Sequence, residues 1–295
     1  MAEIKAGAAS AGDGRKRGIA AALVAALLLA GCTTSSLEGT YGPTPTVAGA
    51  AAPPPVDPEQ ARIGAEQHPR IVASYGGVYH DDKLEQTLAR IVGRIVAASD
   101  DPSQSYRITI LNSPSVNAFA LPGGYLYVTR GLLALANDSS EVAAVIAHEM
   151  GHVTANHAMQ RQNKAQTAVL VSRVVSDVLQ DGEAGKLALA SSQRTLAAFS
   201  QQQELEADAI GVRTIGKAGY DPFAAARFLQ LMGRYAAYKS AGSVQDKRPD
   251  FLASHPATPQ RVEFAIRAAR QFGAPGIGEV DRDRYLAGIN GIVYG

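Results

Sequence analysis

The 295-residue chain has no tryptophan, one cysteine and few aromatic residues of any kind, 6% in all. With a single thiol no intrachain disulfide can form, so the core alone must hold the fold. An excess of charge is also missing: 28 Lys and Arg stand against 27 Asp and Glu. That balance excludes the basic footprint of a nucleic-acid binder and of a strongly basic membrane face. No internal repeat is present. The longest apolar run, Gly18 to Ala30, falls short of the roughly 20 residues that cross a bilayer. A later apolar stretch, residues 167–180, is interrupted by Arg173 and Asp177. What the chain does have is abundant alanine, which favours helix, and six histidines, three of them between His148 and His157.

Lys5, Arg15, Lys16 and Arg17 precede the apolar run, which ends in Leu29-Ala30-Gly31-Cys32. This order of basic, apolar and small residues ahead of the only cysteine resembles the bacterial lipobox. The resemblance implies a signal peptide over 1–31, lipidation at Cys32 and a lipid anchor in the membrane. It also implies sorting to the periplasmic face of the outer membrane, because Thr33 stands where inner-membrane retention uses Asp. The alternatives are an ordinary signal peptide and an uncleaved anchor. Residues 32–58, rich in Thr, Ser, Ala and Pro with a Pro53-Pro54-Pro55 run, cannot bury a core and read as a tether. A folded domain over 59–272 and a C-terminal tail over 273–295 complete the expected organisation.

Within the domain, Leu84, Leu88, Ile91 and Ile95 share one helical face, with Asp81 or Asp82 placed to cap it. Alternation at Tyr106, Ile108 and Ile110 predicts a strand. Pro122-Gly123-Gly124 between two apolar runs predicts a hairpin. After Gly131 the pattern is helical. Asp138-Ser139-Ser140-Glu141 has capping-box spacing, and Asp221-Pro222 and Thr258-Pro259 read as helix starts. The fold class expected is α+β, mainly helical, with a small antiparallel sheet packed beside the histidine-bearing helix.

His148, Glu149 and His152 form H-E-x-x-H. On a helix, residues four apart lie on one face, so both imidazoles reach a single Zn²⁺. Glu149, beside the first ligand, is placed to take a proton from water activated by the metal. The bland alternative is a core helix that carries histidines. His157, five residues past His152, points to nearly the opposite side of a continuous helix and reads as structural or surface-polar. A third ligand must come from elsewhere, and Glu204 can supply it; the alternative is an acidic, solvated helix face. Asp208, four residues on, faces the same way and can accept a hydrogen bond from the outer N–H of a ligating histidine. Glu206 points elsewhere and reads as solvated.

"HEMGH" followed some fifty residues later by "ELEAD" resembles the HtpX and CAAX prenyl protease type of gluzincin metallopeptidase. "NAFALPGGYLYVTRGLL" (Asn117 to Leu133) is similar to that family's strand segment, and "SHPATPQR" (Ser254 to Arg261) to its late His-Pro segment. The four blocks occur in the family's order. The resemblance implies a zincin-like metalloprotease domain with one Zn²⁺ per chain, held by His148, His152 and Glu204. Glu149 would be the general base and Asp208 a support for a ligand. His255 would lie near the metal, either filling its open position or stabilising an oxyanion, and Arg261 would contact the same region. The interrupted apolar stretch departs from the integral-membrane relatives and implies a soluble, lipid-tethered branch. The closing "RYLAGINGIVYG" resembles a junction to further sequence in longer relatives.

The function expected is a zinc endopeptidase acting on unfolded or misassembled envelope proteins. A substrate strand would pair with the edge formed by Asn117, Ala118, Phe119, Ala120 and Leu121. An envelope-assembly chaperone or binding factor with a latent, His255-capped zinc site is the alternative. A metal-free structural lipoprotein is a third.

Overall fold

The computed structural model describes residues 58–179, 183–241 and 251–293, with side chains left out over 170–199. The chain divides into Met1–Ala52 and Pro53–Gly295, and all described residues belong to the second unit. Cys32, the expected signal segment and nearly all of the expected tether lie outside them.

Two helices open the fold: α1 (Pro58–Ser74) and α2 (Asp82–Ala98). Asp81 caps α2, its carboxylate accepting from Leu84 N at 3.0 Å. Leu84, Leu88, Ile91 and Ile95 are fully buried, at about 1.5–3 kcal/mol of transfer free energy each. Three strands follow: β1 (Arg107–Leu111), β2 (Ala118–Leu121) and β3 (Tyr125–Thr129). Gly123 and Gly124, both with φ near +80°, make the β2–β3 turn that side-chain-bearing residues resist.

The sheet is mixed, not purely antiparallel. Its order is β1-β3-β2: β3 pairs antiparallel with β2 and parallel with β1. The physical reason lies in the hydrophobic run of β3. Leu126, Tyr127 and Val128 are all buried, as in a strand covered on both faces, so β3 takes the centre. β2, half-buried over most of its length, is left at an edge.

The helices that build the site come next: α3 (Arg130–Leu135), α4 (Ser139–Thr154), α5 (His157–Leu179), α6 (Glu183–Lys217), α7 (Ala224–Ala241), α8 (Phe251–Ser254), α9 (Pro259–Ala269) and α10 (Arg282–Ile289). Asp138 caps α4 through Glu141 N at 2.9 Å. Glu141 reaches back one residue beyond the cap, to Asn137 N at 2.8 Å. Thr258 caps α9 ahead of Pro259. After Asp221-Pro222 the helix begins only at Ala224, because Asp221 closes a short turn onto Phe223 N. In the final segment α10 packs back on the domain through Tyr285, which is fully buried.

Every residue of α4 from Ser139 to His152 is buried. It lies against α6 at a distance that only small residues permit. A Cβ on Gly151 would stand 3.2 Å from Ala207 Cα, and one on Gly211 would stand 3.2 Å from His148 N. Leucine is a better helix former than glycine by under about 1 kcal/mol, yet overpacking costs about 1–3 kcal/mol. Gly211→Leu is therefore expected to lower the thermal midpoint followed by circular dichroism. A raised midpoint would mean that the two backbones are not in contact here.

Candidate metal centre

Four buried side chains converge between α4, α6 and the turn after α8: His148, His152, Glu204 and His255. The first two stand one turn apart on α4. Nε2 of His148 and Nε2 of His152 are 3.1 Å apart. Each lies 3.4 Å from a Glu204 carboxylate oxygen. His255 Nδ1 is 2.9 Å from Glu204 Oε2 and 3.4 Å from His148 Nε2. Zinc bound tetrahedrally at about 2.0–2.1 Å sets its donors about 3.3–3.4 Å from one another. The cluster has that spacing and that donor chemistry, and it suits one zinc ion.

Around these donors runs a chain of charges. Arg261, buried on α9, grips Asp208 with two bonds: Nε to Oδ2 and Nη2 to Oδ1, each 2.8 Å. Its third nitrogen, Nη1, is 3.0 Å from Glu204 Oε2. Asp208 Oδ1 in turn lies 2.9 Å from His148 Nδ1, the nitrogen turned away from the cluster. Arg261 therefore reaches the site from behind, through Asp208 and Glu204. His255 is stacked on Phe251 with ring centroids 4.7 Å apart.

Burial is the largest influence on His148, Glu149, His152, Glu204 and Asp208, and the neighbours decide whether it prevails. Burial pushes the Glu204 carboxyl up, but the three imidazoles beside it hold it far below the carboxylate range. Asp208 is likewise lowered, Arg261 and His148 outweighing its burial. Burial pulls His148 down, but Asp208 and Glu204 raise it to about 9. For His152 burial wins, against Glu204, and its imidazole falls to about 3. Burial also prevails at Glu149, whose carboxyl is raised. Its Oε1 makes no hydrogen bond among the described residues, with His255 Nε2 standing 3.5 Å away. Two glutamates in one site are thus driven in opposite directions, the pattern that separates a proton-transfer group from a permanent anion.

His157, read as structural or surface-polar and as pointing to nearly the opposite side of a continuous helix, proves structural, and its direction is corrected. The helix does not continue: Asn156 takes a left-handed φ of 53°, α4 ends, and α5 begins at His157. The ring turns back and is fully buried. Its Nδ1 lies 2.7 Å from His152 Nδ1. Its Nε2 lies 3.3 Å from Glu206 Oε2, so Glu206, half-exposed, is paired as well as solvated. A left-handed asparagine is the one local signal that could have announced this break. Phe251 carried no signal, since its stacking depends on a turn far from the motif.

Along one side of the cluster a cleft opens, lined by Phe119 and Ala120 of β2, by Glu149 and His152 of α4, and by Met159 and His255. Of the proposed substrate strand, Ala118 to Leu121 form the edge strand. Asn117 is buried just before it, its amide donating to the Tyr75 hydroxyl at 2.9 Å.

Removing Arg261 would leave Asp208 charged, buried and without its main partner. Arg261→Leu is expected to cost about 3–5 kcal/mol, read from the urea midpoint. Adding Asp208→Asn should recover part of that loss. A cost below about 1 kcal/mol, the range of surface pairs, would contradict the buried pairing.

Residues 82–269, more than half of the chain, match the family model of Peptidase family M48. The chain is 29% identical over 265 residues to the beta-barrel assembly-enhancing protease of Yersinia pestis, covering 85% of this chain and 53% of that one. It is 30% identical over 217 residues to the protein of the same name from Escherichia coli (strain K12), covering 70% and 43%. To the mitochondrial metalloendopeptidase OMA1 of Saccharomyces cerevisiae (strain ATCC 204508 / S288c) it is 30% identical over 214 residues, covering 69% and 57%. The chain spans about half the length of the curated relatives it matches. With H-E-x-x-H and Glu204 meeting in one buried cluster inside the matched region, the chain belongs to Peptidase family M48.

Proposed function

We propose that this chain is a zinc-dependent endopeptidase that hydrolyses misfolded or misassembled proteins of the bacterial envelope. One observation carries the reading: a zinc-suited cluster of two histidines and a glutamate lies beside a buried, unbonded carboxylate oxygen of Glu149. The cleft at this site is bordered by the half-buried edge strand β2. His148, His152 and Glu204 would hold the metal. When bound, zinc supplies a Lewis acid that polarises the scissile carbonyl and makes water more acidic. Glu149 takes the proton of the attacking water and returns it to the leaving amine. Burial raises its carboxyl, the direction that suits a group serving as both base and acid. Asp208 orients His148, and Arg261 holds Asp208 and Glu204 in place without touching the reacting atoms. The edge Asn117–Leu121 binds substrate by main-chain pairing, which is indifferent to sequence and suits unfolded chains.

The envelope setting rests on two supports. The relatives include beta-barrel assembly-enhancing proteases of bacteria, and the segment ending in Cys32 has the pattern of a lipoprotein leader. Residues 1–31 are then a signal peptide and 32–58 a tether to lipid on the periplasmic face of the outer membrane. Among the described residues no helix is long and apolar enough to cross a membrane. That fits a lipid-tethered branch beside the integral-membrane HtpX and CAAX prenyl proteases.

A second reading is favoured by His255, which stands within bonding distance of the same donors. In this reading His255 would serve as a further ligand to the metal, and the chain would act at rest as an assembly or binding factor with latent proteolysis.

Glu149→Gln is expected to retain one zinc per chain and to lower the rate of casein cleavage by about 10²–10⁴-fold. Cleavage at the wild-type rate by that variant would exclude the mechanism. Zinc content should be lost in His148→Ala and in Glu204→Ala. His255→Ala should raise proteolysis if His255 closes the site, and lower it if His255 serves the transition state.

A further inference from the structure

His148 and His152 are alike in sequence context but differ in what stands behind them. The outer nitrogen of His148 faces Asp208, a buried carboxylate clamped by Arg261. The outer nitrogen of His152 faces another imidazole, that of His157, at 2.7 Å. Two ring nitrogens at that distance can bond only if one carries the hydrogen and the other does not. His152 turns Nε2 towards Glu204 and His148, so Nε2 is the atom free to ligate and must be bare. Its hydrogen then sits on Nδ1 and is donated to His157. His157 must accept at Nδ1, so its own hydrogen sits on Nε2, where Glu206 Oε2 waits at 3.3 Å.

The direction of the chain is therefore set from end to end: His152 donates to His157, and His157 donates to Glu206. The placement of His157 is also built. On an unbroken helix, five residues carry a side chain about 140° round the axis. The left-handed turn at Asn156 cancels that rotation. Gln203 of α6 donates to the His157 carbonyl at 3.4 Å and to Gln160 Oε1 at 3.2 Å. Gln203 and Glu206, one turn apart on α6, thus hold the backbone and the ring of the same residue.

We infer that His157, backed by Glu206, is a positioning residue that fixes the tautomer and ring orientation of His152 for zinc. It touches neither metal nor substrate. The inference rests on the zinc reading above. Partners of this kind change metal affinity by about 10–100-fold when removed.

The test is zinc affinity of the full chain, read by competition with a chromophoric chelator, beside the melting temperature of the metal-free protein. His157→Leu removes the acceptor and should weaken zinc by about 10–100-fold. His157→Asn places an amide oxygen near the former Nδ1 and should stay within a few-fold of wild type. Glu206→Ala, on a half-exposed side chain that the fold does not need, should weaken zinc in the same direction by less. Wild-type affinity in His157→Leu, or an equal loss in His157→Asn and His157→Leu at unchanged melting temperature, would overturn the inference. If His157→Leu does not fold, Glu206→Ala and His157→Asn decide: wild-type affinity in the first, or a large loss in the second, overturns it. A wild-type chain that takes up no zinc would instead defeat the underlying zinc reading.

Discussion

The close approach of α4 and α6 is the constraint on which the site depends. Gly151 meets Ala207, and Gly211 meets the His148 backbone. With side chains at either glycine the helices would stand further apart, and Glu204 could not come within 3.4 Å of both histidines. The donors belong to chain segments some fifty residues apart, so nothing local holds them together. Packing does, and protein interiors transmit small changes of spacing instead of absorbing them.

Burying that many ionisable groups is costly unless each has a partner. Here the partners form one connected set. Arg261 neutralises Asp208 and touches Glu204, Asp208 backs His148, and Glu204 faces three imidazoles. The resulting field drives Glu204 towards a permanent anion while Glu149, without such donors, is pushed up by burial. One helix turn and one neighbouring helix thereby separate two glutamates into different chemical characters. The edge strand β2 completes the arrangement by bordering the cleft that reaches Glu149 and His152. It lies at the edge because β3, the more apolar strand, claims the centre.

How much of this was legible in the sequence depends on the range of the cause. The helical face of Leu84, Leu88, Ile91 and Ile95, the Asp81, Asp138 and Thr258 caps, and the Pro122-Gly123-Gly124 hairpin follow from contacts within a few residues, and the sequence carries them directly. The i, i+4 spacing of His148 and His152, and of Glu204 and Asp208, put each pair on one helix face before any tertiary contact was known. The parallel pairing of β1 with β3 was not legible, because it follows from which strand is covered on both sides. His157 was misplaced for a similar reason. Helical rotation assigns it outward, and only a single left-handed residue, stabilised by contacts from α6, brings it in.

The sequence by itself therefore determined the elements, their caps and the chemical inventory of the site: two imidazoles one turn apart, an adjacent carboxylate and a distant acidic pair. Periodicity and local hydrogen bonding are short-range, and a linear pattern records them. The family resemblance placed His255 and Arg261 near the metal, but the tertiary structure alone decided that His255 Nδ1 stands 2.9 Å from Glu204, that Arg261 approaches from behind through Asp208, and that His157 and Glu206 stand behind His152. Each of these rests on side chains from elements separated in sequence, whose meeting is set by helix packing distance and strand order, and no run of residues encodes either one locally.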